Sequence, residues 1–232
     1  MKHLPIIESY WVEEGHFLAG EYPGSYSPED ARRRMDAFLE SGIRTFIDLT
    51  QPHELVPYEP ILKEEARIYE HMAVYHRFAI RDHGIPSVQT MTLILDTIDA
   101  AIESGSPVYV HCWGGVGRTG TVVGCYMVRH GLTPSQALER VNALYKTRPQ
   151  NYFLVRSPET EEQADFVRSG ARRRGLGIRQ SNVSARVKTP LQVQVLLWGG
   201  ATIGGSKLEC GKSRMAAAHF TSRMKRGYIP NK

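Results

Sequence analysis

A chain of 232 residues with 41% hydrophobic and 23% charged side chains fits one globular domain, or one with an appendage, and excludes wholesale disorder, collagen-like and coiled-coil designs. Its formal charge of +5 is unevenly spread, residues 1–170 being net −7 and residues 171–232 net +12, so an acidic domain with a basic extension describes it better than a nucleic-acid-binding protein does. Three scattered cysteines, Cys112, Cys125 and Cys210, exclude a disulfide framework or zinc cage and make a reducing compartment the default.

The start, MKHLPIIESYWVEEG, lacks the apolar core of a signal peptide, and Leu191 to Gly205 is too short and too polar to span a bilayer, so the expected location is cytoplasmic. Tyr10 to Tyr22 predicts a strand pair around Gly15, closed by Pro23-Gly24. Ser27-Pro28-Glu29-Asp30 supplies a cap, a proline at the first helical position and early acids, opening a helix that Gly42 stops. Thr45 to Leu49 reads as a short buried strand. Residues 51–70, punctuated by Pro52, Pro57 and Pro60, read as a loop with a short helix from Ile61 to Ile68, followed by a strand from Ala73 to Phe78. Ser87 caps a helix whose Met91, Leu93, Ile94, Ile98, Ala101 and Ile102 recur at helical spacing before Gly105.

Pro107 to His111 is a strand aimed at a glycine-rich turn, and helices follow over Arg118 to Arg129, Thr133 to Lys146 and Ser157 to Ser169. This order predicts an α/β domain over residues 1–170, a small central mixed sheet flanked by helices with a phosphate-binding loop between a strand and a helix. Residues 171–232 hold no sustained period and read as a basic, disordered extension, or more sharply as an arm for anionic lipid or nucleic acid.

The chemistry concentrates in VYVHCWGGVGRTGT, where three templates compete. Gly115-Val116-Gly117-Arg118-Thr119-Gly120 matches G-x-G-x-x-G, but Glu139, the acid at the required distance, falls inside a predicted helix. Cys112 to Thr119 approaches the nucleotide-binding G-x-x-x-x-G-K-[ST], with Cys for the first Gly and Arg for the Lys, both of which matter there. The third template fits without a defect: Cys112, five residues, Arg118 and Thr119, after His111 and a strand and before a helix. Gly114, Gly115 and Gly117 are expected to take left-handed angles that turn successive N–H groups inward, and the helix start adds its positive end. The natural guest is a tetrahedral oxyanion. Converging amides, a helix N-terminus and a neighbouring Arg favour the Cys112 thiolate, the Arg118 fork can hold two non-bridging oxygens, and Thr119 can donate its hydroxyl to the sulfur. Cys125, in TVVGCYMV, reads as plain core.

His111-Cys112-Trp113-Gly114-Gly115-Val116-Gly117-Arg118-Thr119-Gly120 resembles the signature loop of the cysteine-dependent protein tyrosine and dual-specificity phosphatases. FLAGEYPG, TFIDLT and RSPETEEQADFV resemble a bacterial dual-specificity-like branch of it, over about residues 5–169. The resemblance implies hydrolysis of phosphate monoesters on phosphoprotein through a phosphocysteine intermediate. Trp113, Gly114, Gly115, Val116, Gly117 and Arg118 would bind the phosphate, and the His111 imidazole would support the thiolate.

Expelling an alkoxide or phenoxide requires a proton. Asp48, inside a strand, reads as structural, and Asp96 and Asp99 as the solvated face of a helix. Asp82 lies in ARDHGIPS, a loop between a strand and a capped helix; the resemblance implies an acid about thirty positions before the cysteine, so Asp82 is expected to be the general acid, with His83 as scaffolding. The resemblance further implies a singly phosphorylated substrate, since the phosphoinositide phosphatases of that superfamily tend to carry lysines in this turn and this one has none, and a site shallow enough for phosphoserine and phosphothreonine beside phosphotyrosine, since the domain is shorter than the tyrosine-specific branch. No metal or other cofactor is expected, since no ligand spacing for one occurs. The expected partner is a phosphorylated protein, without a nucleic-acid or membrane domain, the basic extension being free to touch anionic surfaces. The alternatives are a phosphoinositide or other non-protein phosphatase, or a phosphate-reading module without turnover.

Overall fold

The computed structural model describes residues 3–69, 72–149 and 156–170, and within them the period-two alternation of the strands sorts the apolar side chains into two cores. The strands are β1 (Ser9–Glu13), β2 (Phe17–Gly20), β3 (Thr45–Asp48), β4 (Val74–Arg77) and β5 (Val108–His111). The helices are α1 (Pro28–Glu40), α2 (Glu59–Ile68), α3 (Val88–Glu103), α4 (Gly117–Arg129), α5 (Pro134–Tyr145) and α6 (Glu161–Gly170). In the sheet order β1-β2-β5-β3-β4, β1 and β2 pair antiparallel and the other neighbours parallel. Leu18, Phe46 and Tyr109 pack with Met35, Phe38, Leu39 and Leu62 of α1 and α2. Their chain neighbours Phe17, Ala19, Ile47, Val108 and Val110 pack on the opposite face with α3, α4, α5 and α6. The sheet is therefore mixed and covered on both faces by helices, and each fully buried Leu, Ile, Val or Phe contributes ~1.5–3 kcal/mol. β5 lies in the middle, so its carboxyl end opens where open α/β sheets hold their ligands.

Most predicted elements form where the sequence places them. Ser27, Ser87 and Thr133 cap α1, α3 and α5 through their hydroxyls, and Gly15 at the β1–β2 turn has φ +80. Four readings are corrected. The short helix begins at Glu59 rather than Ile61, with Pro60 in its first turn, where a missing N–H costs nothing. The last helix begins at Glu161 rather than Ser157, because Thr160 and Gln163 make the reciprocal cap and Ser157 instead hydrogen-bonds Val116 beside α4. On α3, Leu93 faces outward and Leu95 inward, since 91, 94, 95 and 98 form the tighter stripe. Asp99 is buried, with Arg129 at 3.3 Å and His130 at 2.9 Å; it joins α3 to α4 instead of facing solvent. The expected extension, residues 171–232, lies outside the described residues. No helix among them is long and apolar enough to cross a membrane.

Candidate active site

The turn from β5 into α4 is shaped by its neighbours. Gly115 has φ +67, and a Cβ there would lie 2.3 Å from both the carbonyl carbon and oxygen of Gly20 and 2.7 Å from the Glu21 nitrogen. Left-handed angles were expected of Gly114 and Gly117 as well, but of the three only Gly115 has a positive φ. Gly117 is the first residue of α4 and is small for another reason, since its Cβ would meet the Gln163 amide at 2.8 Å. Gly114 has open space around it, with only Val116 at 3.6 Å.

The amides are aimed by what holds the carbonyls. The Trp113 carbonyl accepts from the Tyr22 N–H at 2.8 Å, that of Gly114 from Arg148 at 3.2 Å, and that of Val116 from the Ser157 hydroxyl at 2.8 Å. In a trans peptide the N–H points opposite to the C=O, so the N–H groups of Gly114, Gly115 and Gly117 face away from those partners. No backbone acceptor among the described residues takes them, and the start of α4 adds its positive end.

Gly115→Ala combines a left-handed residue, costing ~1–3 kcal/mol, with a collision against backbone that cannot swing aside. The expected result is a lowered melting temperature together with loss of phosphate affinity, read by thermal denaturation with and without inorganic phosphate. Gly114→Ala, in open space, should change either far less.

Cys112 and Arg118 are 3% and 2% exposed. The Arg118 fork already has partners in the protein. Its Nη1 and Nη2 donate to Glu54 Oε2 and Oε1 at 2.9 and 2.6 Å, and Nη1 also to the Ile80 carbonyl at 3.1 Å. Glu54 thus occupies the Nη1–Nη2 edge, which leaves the Nε–Nη2 edge for a bidentate oxyanion. Burial works against the guanidinium charge, but the Glu54 hydrogen bonds, with the nearby charges of Cys112, Glu54 and Asp82, outweigh it and raise the Arg118 pKa. Burial likewise opposes ionisation of Glu54, and Arg118 overcomes it to hold that carboxyl below its ordinary value.

Asp82 Oδ1 lies 2.9 Å from Arg118 Nη2, and His83 stands 3.5 Å from both Asp82 and Glu159. Asp82, Cys112, Trp113, Gly114, Val116, Gly117 and Arg118 line one cavity of about 480 Å³, which Glu21, Arg148, Glu159 and Gln163 help to close. Trp113 is 60% exposed. Thr119 is buried beneath, its hydroxyl without a hydrogen-bond partner among the described residues. Asp48 has the structural part expected of it: buried, it accepts from the Thr50 N–H at 2.8 Å, the Tyr75 hydroxyl at 2.6 Å and Arg77 at 2.9 Å.

His111 is fully buried, which lowers its pKa despite the nearby Asp48 charge. The ring is therefore neutral at pH 7, and its contacts fix the tautomer. Nδ1 lies 3.1 Å from the Cys112 carbonyl, which can only accept, so Nδ1 carries the proton. Nε2 then accepts from the Tyr58 hydroxyl at 2.7 Å, whose pKa burial pushes well up, keeping it a donor. Below the ordinary imidazole value of ~6.5 the unfolded chain takes up a proton that the fold resists, so stability falls as pH drops through ~6.5 toward the lower folded value. The melting temperature of His111→Asn should fall less steeply between about pH 7 and 5 than that of the wild type; parallel curves would remove His111 as a cause.

Sequence reasoning missed Glu54, Arg148 and Gln163. Glu54 sits 64 positions from Arg118 in a proline-punctuated loop, and nothing local marks it. Arg148 follows the end of α5, donates to the Glu8 and Gly114 carbonyls, and stacks over Tyr145 at 4.4 Å. Gln163 did carry a signal: Thr160-x-x-Gln163 is a capping-box pattern, which also marks the true start of α6.

A family model described as "Polymorphic toxin system, DSP-PTPase phosphatase" matches residues 23–132. The chain is 30% identical over 145 residues to mouse Protein tyrosine phosphatase domain-containing protein 1, covering 59% of this chain and 19% of that protein. It is 32% identical over 109 residues to Phosphatidylglycerophosphate phosphatase PTPMT1 of Arabidopsis thaliana, covering 45% and 30%. The chain thus spans a fifth to a third of the length of these relatives. The active form of Tk-PTP superposes with a TM-score of 0.57 at 23% identity, over 72% of this chain and 97% of that one, a likeness of fold.

Proposed function

The chain belongs to the protein tyrosine/dual-specificity phosphatase superfamily, and we propose that its domain, residues 1–170, hydrolyses phosphate monoesters on protein, phosphotyrosine and also phosphoserine or phosphothreonine, through a phosphocysteine intermediate. The observation that carries this reading is that Cys112 and Arg118 of the β5–α4 turn and Asp82, from a loop thirty positions earlier, open on the same cavity.

The phosphoryl oxygens sit on the N–H groups of the turn and on the Nε–Nη2 edge of Arg118, taking Nη2 from Asp82, which stands 2.9 Å from it. Cys112 Sγ attacks phosphorus in line, an S–P bond forms, and the ester P–O bond breaks while the Asp82 carboxyl gives its proton to the departing oxygen. A water then attacks the same phosphorus and passes its proton to Asp82. The S–P pair returns to sulfur, stabilised by the Thr119 hydroxyl, and inorganic phosphate leaves. His111 does not touch the substrate; its Nδ1–H fixes the Cys112 carbonyl, and with it the direction of the nucleophile.

A second reading is a lipid phosphomonoester. One relative is named a phosphatidylglycerophosphate phosphatase, and exposed Trp113 beside the nucleophile suits a membrane interface. A turn without lysine fits either singly phosphorylated substrate.

The test is hydrolysis of an aryl phosphate with a chelator present, then with vanadate or a thiol alkylator, followed by phosphopeptides against micellar phosphatidylglycerophosphate. Activity that survives chelation and is lost to vanadate and alkylation supports the mechanism; activity lost to chelation overturns it. Higher kcat/KM for the lipid would move the substrate assignment to the second reading.

A further inference from the structure

Gln163 belongs neither to the turn that binds phosphate nor to the loop that carries Asp82, yet it touches both. It is fully buried. Its Oε1 accepts from the Thr160 N–H at 3.2 Å while its own N–H donates to the Thr160 hydroxyl at 3.2 Å, closing the start of α6. Nε2 is left with its hydrogens, and it donates to the Gly84 carbonyl at 3.1 Å. The amide orientation is forced, because the Thr160 N–H needs an acceptor and the Gly84 carbonyl needs a donor. The same amide lies against Gly117, where a Cβ would come within 2.8 Å of Oε1 and 2.9 Å of Nε2.

What Gln163 grips is a turn under local strain. The Gly84 N–H is spent on the Arg81 carbonyl at 2.9 Å, and the intervening His83 is left-handed at φ 57, a conformation that a non-glycine residue keeps only where its surroundings hold it. At the other end of this stretch Arg118 holds the Ile80 carbonyl at 3.1 Å. Asp82 is the midpoint of five residues pinned on one side by the phosphate-binding arginine and on the other by the cap of α6.

We infer that Gln163 is a positioning residue for proton transfer: its Nε2–Gly84 bond fixes the Asp82 loop against the first turn of α4, setting the acid relative to the sulfur and the leaving oxygen. The inference rests on the reading of Asp82 as the proton donor. Gln163→Glu separates the two jobs of the side chain, since a carboxylate still accepts from the Thr160 N–H but cannot donate to Gly84. Gln163→Met removes both while keeping the volume, should a buried carboxylate prevent folding.

The readout is kcat/KM across aryl phosphates of graded leaving-group ability, which stops at departure of the leaving group. Both variants should lose about 10–100-fold on the poorest leaving group, as a small misplacement of a catalytic group does, and less than about threefold on the best. In an Asp82→Asn background the same substitutions should add no further leaving-group dependence. Equal loss across the series with a lowered melting temperature would make Gln163 a structural residue only and overturn the inference. A steepened series in Asp82→Asn but not in the Gln163 variants would overturn it while leaving the acid in place. No steepening in Asp82→Asn would remove the acid itself, and the inference with it.

Discussion

Cys112→Ser should lose turnover on any phosphate ester by about 10⁴-fold or more, near 5.5 kcal/mol at 1.36 kcal/mol per decade, while still binding inorganic phosphate. Serine is nearly isosteric, so the three aimed amides, the Gly115 crossing over Gly20 and the Arg118–Glu54 pair all survive it. What it removes is the sulfur nucleophile that forms the phosphocysteine. Arg118→Lys should lose turnover and binding together. A lysine can keep one contact to Glu54 but offers no second edge to an oxyanion, and it abandons the Ile80 carbonyl, which Arg118 also holds at 3.1 Å. Calorimetric titration with phosphate, run beside a turnover assay, separates the two variants. More than about 1% of wild-type activity in Cys112→Ser would end the covalent mechanism, because a loss of even 10³-fold leaves less than that.

What could be read from the sequence was whatever is local. The Ser27, Ser87 and Thr133 caps, the glycine at each turn and the stripe at 91, 94 and 98 are set by neighbours a few positions apart, and so is the spacing from Cys112 to Arg118. The reading failed where a residue answers to a distant one. Glu54 has no meaning in its own loop; it is placed by a buried guanidinium that needs its charge matched and by β3, which delivers that loop to the carboxyl end of the sheet beside β5. Gly117 looks like a third flexible glycine of the turn and is instead a hole for Gln163 from the last helix. Asp99, polar on an exposed-looking helix, is buried because α4 brings Arg129 and His130 onto it. The identity of the nucleophile and of its arginine was legible, whereas the second layer that orients them comes from the β1–β2 edge, the 51–58 loop and α6, and only tertiary structure assembles it.

Asp82→Asn should lower kcat/KM for a poor leaving group such as a serine alkoxide by ~10²–10⁴, the usual worth of a general acid, with little loss on a leaving group stable without a proton. The ion pair in this structure adds a second expectation with the opposite sign. Asp82 Oδ1 stands 2.9 Å from Arg118 Nη2, at the one corner of the guanidinium shared between the edge that Glu54 holds and the edge left for phosphate. An incoming phosphoryl group must take that corner from a carboxylate, so the neutral amide of Asn should let inorganic phosphate, as product inhibitor, bind more tightly than in the wild type. Slower chemistry with tighter phosphate is a combination that mere loosening of the loop would not give, since a displaced loop would also release the Ile80 carbonyl from Arg118 and weaken the anion site. Product-inhibition constants measured beside the leaving-group series decide it: equal losses on good and poor leaving groups, together with weaker phosphate binding, would show that Asp82 holds the loop in place and donates no proton.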